Sequence, residues 1–206
     1  MKKIFAILFS VFMAFNANGA TLINDTEIEK GISEIILPVA RAAKIPENRL
    51  KIYIVNDDDF NAFVRGGEDV FVYTGLLKQI KNPNALRAVV AHELGHTIGG
   101  HMVQMSARMH DEMVRTMVIQ ALGVGLMVAG GNPTAGVGVM AGATGIAQQS
   151  MLSFSRDEER MADDMAVDLM VAANQDPNGL ITVFEQMRDY MVRLKAKSIQ
   201  TALITH

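Results

Sequence analysis

Two histidines and a glutamate lie close together in a stretch of the chain that is otherwise almost wholly apolar. The stretch runs from Ala85 to Ile98 and contains His92, Glu93 and His96. Just before it, Asn82-Pro83 supplies a capping residue and a first-turn proline, so we expect a long helix to begin there. Apolar residues occur nearly all round this helix, which predicts burial. The chain must therefore fold around a buried helix that carries ionisable side chains.

The spacing of the two histidines indicates a metal site. Residues four apart on a helix differ in direction by only about 40°, so the imidazoles of His92 and His96 point toward one place. The alternative is a chance pattern on a solvated helix face, but the apolar flanks would make an uncompensated charge costly there. We predict a zinc site with two histidine ligands, a third protein ligand and an open position for water. Glu93 would then take the proton of that water.

The third ligand has to come from elsewhere in the chain. His101 would lie about 140° around the helix from the second histidine, so we expect it to be a packing or surface residue. A better source is the acidic helix predicted over Ser155 to Asp168, where spacing favours Glu159 only weakly over Glu158. We expect Glu158 to be a solvated or paired surface acid. Asp163 would share a helix face with Glu159, and there it could accept a hydrogen bond from the free nitrogen of a ligand histidine.

The remaining segments predict an α+β chain that is mainly helical with a small antiparallel sheet. Runs rich in β-branched and aromatic residues predict strands at Lys51–Val55, Phe60–Val64 and Val70–Tyr73. Helices are predicted over Thr26–Ala43, Met117–Gly130, Ala135–Met151, Ser155–Ala173 and Leu180–Leu194. The second and third of these helices are too short to span a membrane. They could form a hairpin packed on the core or a flap that touches membrane or substrate.

The first residues have the pattern of a secretory signal peptide. Lys2-Lys3 precedes an apolar run over Ile4–Phe15, which is shorter than the roughly twenty residues that cross a bilayer. We expect residues 1–20 to be removed and residues 21–206 to form one domain. Because the sequence contains no cysteine, we expect neither a disulfide nor a cysteine-linked lipid. We therefore expect an exported protein, which would be periplasmic if the source is a Gram-negative bacterium.

The charge balance argues against a nucleic-acid partner. Without Lys2-Lys3 the chain keeps 17 basic and 22 acidic residues. It has no run of basic residues and no alternation of basic with aromatic residues. Nucleic acid, which binds to basic surfaces, is therefore not an expected partner.

Two motifs carry a resemblance to a known family. Ala91-His92-Glu93-Leu94-Gly95-His96 is followed by the acidic motif over Phe154–Asp163, which reads FSRDEERMAD. Together they resemble the HtpX and CAAX prenyl protease family of zinc metallopeptidases, which is peptidase family 48 of the metallo class. The soluble exported branch of that family is the most similar. The resemblance covers roughly Ile45 to His206.

The resemblance implies a zincin-like fold of the gluzincin type, with one zinc ion per chain. It implies His92, His96 and Glu159 as the metal ligands and Glu93 as the catalytic residue. Asp163 would support a ligand histidine. The resemblance therefore selects Glu159, which spacing alone favoured only weakly.

The resemblance also implies a sheet edge that binds an extended substrate, with Asn61 and Gly67 in the similar segments. Backbone pairing with an edge strand is a general way to bind unfolded peptide. For Asn61, an ordinary turn residue is an equally open interpretation. His206 aligns with a motif that relatives place near their metal, so we expect either an imidazole that gates the zinc or a frayed chain end.

From the resemblance we expect a zinc metalloendopeptidase that cleaves misfolded or unassembled cell-envelope proteins. The alternative is a periplasmic chaperone or assembly factor for outer-membrane proteins with little or no proteolysis, since the same edge strand would serve both. The expected partners are unfolded or misfolded envelope polypeptides, and peripheral membrane contact is an open alternative. The sequence does not predict an oligomeric state.

Overall fold

The computed structural model describes residues 21–130 and 133–204. The predicted signal peptide, residues 1–20, and His206 lie outside the described residues. Within the described ranges, no helix has both the length and the apolar character that a bilayer-spanning segment needs. The chain is mainly helical with one small sheet, which confirms the predicted α+β class.

The described residues form four strands and six α-helices. The strands are β1 (Thr21–Ile23), β2 (Lys51–Asn56), β3 (Ala62–Arg65) and β4 (Asp69–Tyr73). The helices are α1 (Thr26–Ala42), α2 (Thr74–Gln79), α3 (Pro83–Ile98), α4 (His101–Gly130), α5 (Pro133–Ala172) and α6 (Gly179–Ile204). A 3₁₀ turn over Glu47–Arg49 precedes β2.

The sheet is mixed, whereas the sequence predicted purely antiparallel pairing. The strand order is β1-β2-β4-β3, with β2 and β4 parallel and the two outer pairs antiparallel. The β3–β4 hairpin turns at Gly66 and Gly67, whose φ angles of 63° and 82° suit glycine. The hairpin inserts β4 beside β2 and leaves β3 at the sheet edge. The antiparallel prediction is therefore wrong for the central pair.

Residues 21–99 and 161–204 belong to one compact unit, whose core lies between the sheet and the helices. Its most deeply buried large side chains are Ile36, Ile54, Leu76, Leu94, Met170, Val39, Val70, Val72 and Val90. The α3 helix supplies two of them, and it begins as predicted: the Asn82 side chain accepts a hydrogen bond of 2.8 Å from the Ala85 amide. The predicted burial of α3 is confirmed.

Residues Gly100–Arg160 belong to a second compact unit. It contains α4 and most of α5, so the predicted helical state of both apolar stretches is confirmed. The predicted helix start at Ser155 is wrong, because α5 runs without a break from Pro133 to Ala172. Ser155 is buried inside the helix, where no free helix end remains for its hydroxyl to cap. The prediction of one domain over residues 21–206 stays a prediction.

The α3 and α5 helices approach each other closely at Gly95. A Cβ atom at this position would lie 2.8 Å from the Ala162 carbonyl oxygen and 3.1 Å from its Cα atom. Gly31 in α1 is the matched control, because a Cβ atom there would meet nothing within 4 Å. Both glycines lie inside helices, so their backbone conformations are comparable.

We expect Gly95→Ala to lower the free energy of unfolding by about 1–3 kcal/mol, because backbone atoms must shift to admit the methyl group. We expect Gly31→Ala to raise it by about 0.5–1 kcal/mol, because alanine loses less backbone entropy than glycine. Urea denaturation of both variants measures the two changes. A stability gain in both variants would show that the α3–α5 contact is not tight at Gly95.

Candidate metal centre

The α3 helix brings the two motif histidines together. The Nε2 atoms of His92 and His96 are 3.1 Å apart. Two nitrogens that bind one tetrahedral zinc ion at about 2.0–2.1 Å lie about 3.3 Å from each other. His92 is buried and His96 is half-buried. The separation of the two rings therefore fits a shared metal ion.

Asp163 lies against the far side of the His92 ring. Its Oδ1 atom is 2.9 Å from His92 Nδ1. A carboxylate in this position favours a proton on Nδ1, so Nε2 presents its lone pair toward His96. The structure thus places Asp163 where the sequence expected it, beside a histidine of the motif.

Glu159 is one helical turn before Asp163 on α5 and is buried. The candidate ligand atoms of His92, His96 and Glu159 all lie within 4.8 Å of one another. A buried carboxylate next to two imidazoles is costly unless a cation or hydrogen bonds compensate its charge. Two imidazole nitrogens and one carboxylate oxygen are a donor set that suits zinc.

Glu93 follows the first histidine on α3 and is half-buried. Among the described residues, the candidate ligand atoms that lie close together belong to His92, His96 and Glu159, and Glu93 is not one of this group. The Thr97 hydroxyl lies 3.3 Å from the Glu93 carbonyl oxygen, one turn along the helix. The role of Glu93 as a proton acceptor stays a prediction.

Glu158 was expected to be a solvated or paired surface acid, and that expectation is wrong. The side chain is buried, and this burial, together with the neighbouring charge of Glu159, raises its pKa to about 7. The Arg108 charge opposes the shift. Arg108 also stacks over the Phe154 ring at 3.9 Å from the ring centroid. Sequence reasoning missed Arg108, because no local signal places it near an acid 50 residues later.

His101 is buried, as expected for a packing residue, but the reason given from the sequence does not hold. The α3 helix ends at Ile98, and Gly100 adopts a φ angle of 66° before His101 opens α4. An angle counted along a continuous helix therefore does not apply to this residue. His101 is not part of the three-residue metal group of the described chain.

Asn61 and Gly67 flank the edge strand β3. The Asn61 amide donates to the Asp59 carbonyl at 3.0 Å, and its own carbonyl accepts from the Tyr73 amide at 3.1 Å. The first bond is local, whereas the second extends the β3–β4 pairing by one position beyond Ala62 and Val72. The substrate-binding role of Asn61 stays a prediction. A Cβ atom on Gly67 would lie 3.4 Å from Thr97 Cγ2, so the β3–β4 turn lies against α3.

The comparisons with known proteins find similarity to peptidases. The sequence profile of peptidase family M48 matches residues 27–206. The chain is 26% identical over 172 residues to the beta-barrel assembly-enhancing protease of Escherichia coli K12, covering 82% of this chain and 34% of that protein. It is 30% identical over 148 residues to the metalloprotease LoiP of the same organism, covering 66% of this chain and 50% of that protein.

A eukaryotic protein is also similar. The chain is 27% identical over 157 residues to the mitochondrial metalloendopeptidase OMA1 of Schizosaccharomyces pombe, which covers 76% of this chain and 43% of that protein. The chain spans about a third of the length of the assembly-enhancing proteases that it matches.

Proposed function

The chain belongs to peptidase family M48, and from this premise we propose that it is a zinc-dependent metalloendopeptidase. The observation that carries the proposal is the group of His92, His96 and Glu159, whose candidate ligand atoms lie within 4.8 Å of one another. Two histidines and one glutamate form the protein part of many catalytic zinc sites, which keep a further position for water.

Each side chain of the site has a proposed role in peptide hydrolysis. His92, His96 and Glu159 would hold the zinc ion, and Asp163 keeps the His92 ring in the tautomer that offers Nε2. When bound, zinc supplies a water of pKa about 7 and polarises a substrate carbonyl. Glu93 accepts the proton of the attacking water and delivers it to the leaving amine.

We propose unfolded or unassembled polypeptides of the cell envelope as the substrate class. The edge strand β3 supports this proposal, because an edge strand can pair with an extended peptide through its backbone. Gly67 brings the end of the β3 hairpin against α3, the helix that carries His92 and His96. The name of the similar E. coli protease refers to β-barrel assembly, and the apolar start of this chain fits export.

Metal removal tests the proposed activity. We expect the purified protein to contain about one zinc ion per chain and to cleave unfolded casein. Prolonged treatment with a chelator should lower cleavage to background, and added zinc should restore it. Protein dialysed without chelator is the control. Undiminished cleavage by protein shown to be metal-free would overturn the proposal.

The same edge strand would serve a chaperone that binds extended chains without cutting them. Suppression of the aggregation of an unfolded outer-membrane protein, measured with the zinc-loaded chain, separates the two functions. We expect the protein to fragment that substrate rather than to hold it intact. Full protection without any cleavage product would favour the chaperone.

A further inference from the structure

The helical hairpin of α4 and α5 carries a long uncharged segment. Between Arg115 and Arg156, forty consecutive residues include no aspartate, glutamate, lysine, arginine or histidine. A surface in contact with water ordinarily has charged residues at roughly a quarter or more of its positions. Forty uncharged residues on a two-helix hairpin therefore indicate a surface that does not face only water.

Several large apolar side chains in the second half of α4 are exposed. Leu122, Val124, Leu126 and Val128 are between 48% and 81% exposed. At 100° per residue, the exposed apolar positions between Met117 and Val128 spread over roughly 200° of the helix circumference. This arc is wider than the stripe by which a helix normally packs on one protein partner.

The two helices contact each other through glycine. A Cβ atom on Gly123 would lie 2.7 Å from Met140 Cγ, and one on Gly136 would lie 2.5 Å from the Gly123 carbonyl oxygen. Gly123 and Gly136 are buried while the valines and leucines are outside. A helix pair folded in water buries its large apolar side chains, whereas small residues at the helix contact and large ones outside are typical of helix pairs in lipid.

Arginines lie at both ends of the uncharged segment, near the acidic residues Asp111, Glu112 and Asp157. Arg115 and Arg156 directly bracket the uncharged segment and are exposed. Two nearby carboxylates are engaged within the unit: Glu112 accepts a hydrogen bond of 2.9 Å from Ser150, and Asp157 pairs with an arginine three residues later. Guanidinium groups bind phosphate through paired hydrogen bonds.

We propose that the outward face of α4 over residues 116–130 lies against an anionic lipid bilayer, in the plane of the boundary between headgroups and acyl chains. Fifteen helical residues extend over about 22 Å, less than the hydrocarbon thickness of about 30 Å, so the helix rests in one leaflet and does not cross it. Arg115 and Arg156 contact lipid phosphates. None of these α4 residues is among the proposed metal ligands, and the surface adds a membrane-binding activity to the chain.

Flotation with vesicles of phosphatidylethanolamine and phosphatidylglycerol tests this proposal. We expect the wild-type chain to float with the vesicles. The double variant Leu126→Asp, Val128→Asp should bind at least about tenfold more weakly, because it places two charges in the apolar contact. The control variant Val171→Asp, Ile181→Asp changes comparably exposed apolar residues of the other unit and should float like the wild type.

The charge contribution has its own variant. Arg115→Ala combined with Arg156→Ala should weaken binding to the anionic vesicles and leave the weaker binding to phosphatidylcholine vesicles unchanged. The zinc content of every variant should equal that of the wild type, so the result does not depend on the proposed protease function.

Two results would overturn the proposal. The first is a failure of the flotation test. The wild-type chain would stay in the soluble fraction, or the Leu126→Asp, Val128→Asp variant would float as well as the control variant. The second is a vesicle-free dimer that the same variant converts to a monomer without any change in flotation. That outcome would assign the α4 surface to an interface between two copies of the chain.

Discussion

The Glu93→Gln variant is expected to lose casein hydrolysis by about 10²–10⁴-fold while it keeps its zinc, since a positioned general base commonly contributes that factor. Glutamine has nearly the shape of glutamate but cannot accept a proton at neutral pH. Glu93 lies beside the group of His92, His96 and Glu159 and is not part of it. Its replacement should therefore remove the proton acceptor and leave the ligands in place.

The matched control is Glu34→Gln on α1. Glu34 is exposed and its 4.0 Å pair with Lys30 contributes little to stability. This control should hydrolyse casein at the wild-type rate. Turnover of Glu93→Gln near that rate, at equal zinc content, would refute the assignment of Glu93 as the base.

Local signals were enough to predict the helix that carries the motif. The Asn82 cap, the proline at the first helical position and the apolar residues that follow all concern neighbours within a few turns. The structure has α3 over Pro83–Ile98, with the Asn82 side chain bonded to the helix start. The direction of the two histidines follows from the same helix, because their spacing sets their relative orientation.

The strand directions could not be predicted in the same way. Alternation of apolar and polar residues is the same whether a strand pairs in parallel or antiparallel. The parallel pairing of β2 with β4 arises because β3 takes the sheet edge, which is a long-range choice. The short strand β1 was missed, since Thr21–Ile23 is only three residues long and pairs with a strand some thirty residues later.

At position 155 the serine does not mark the start of the helix. Ser155 starts a capping pattern in the sequence, yet α5 continues through it because the preceding residues are also helical. The buried state of Glu158 was not predicted either, because no local pattern indicates its burial or the nearby charge of Arg108. The resemblance to the family, rather than spacing, distinguished Glu159 from Glu158.

Those two neighbouring glutamates provide the sharpest test of the ligand set. Both are 6% exposed, and alanine at either position removes the same number of atoms from a buried site. Only the Glu159 carboxylate belongs to the group with His92 and His96. The pair of variants therefore separates metal binding from the general effect of a buried cavity, which both share.

We expect Glu159→Ala to weaken zinc binding by more than about 100-fold, because even residues that only support a ligand are commonly worth 10–100-fold in affinity. Glu158→Ala should keep about one zinc ion per chain, since the Glu158 carboxyl does not belong to the group of candidate ligand atoms with His92 and His96. Zinc content after dialysis, with competition by a chelator of known affinity, measures both. Circular dichroism of the two variants verifies that α5 remains helical. Equal zinc retention by the two variants would remove Glu159 from the ligand set, and the third ligand would then have to be another oxygen or nitrogen close to His92 and His96.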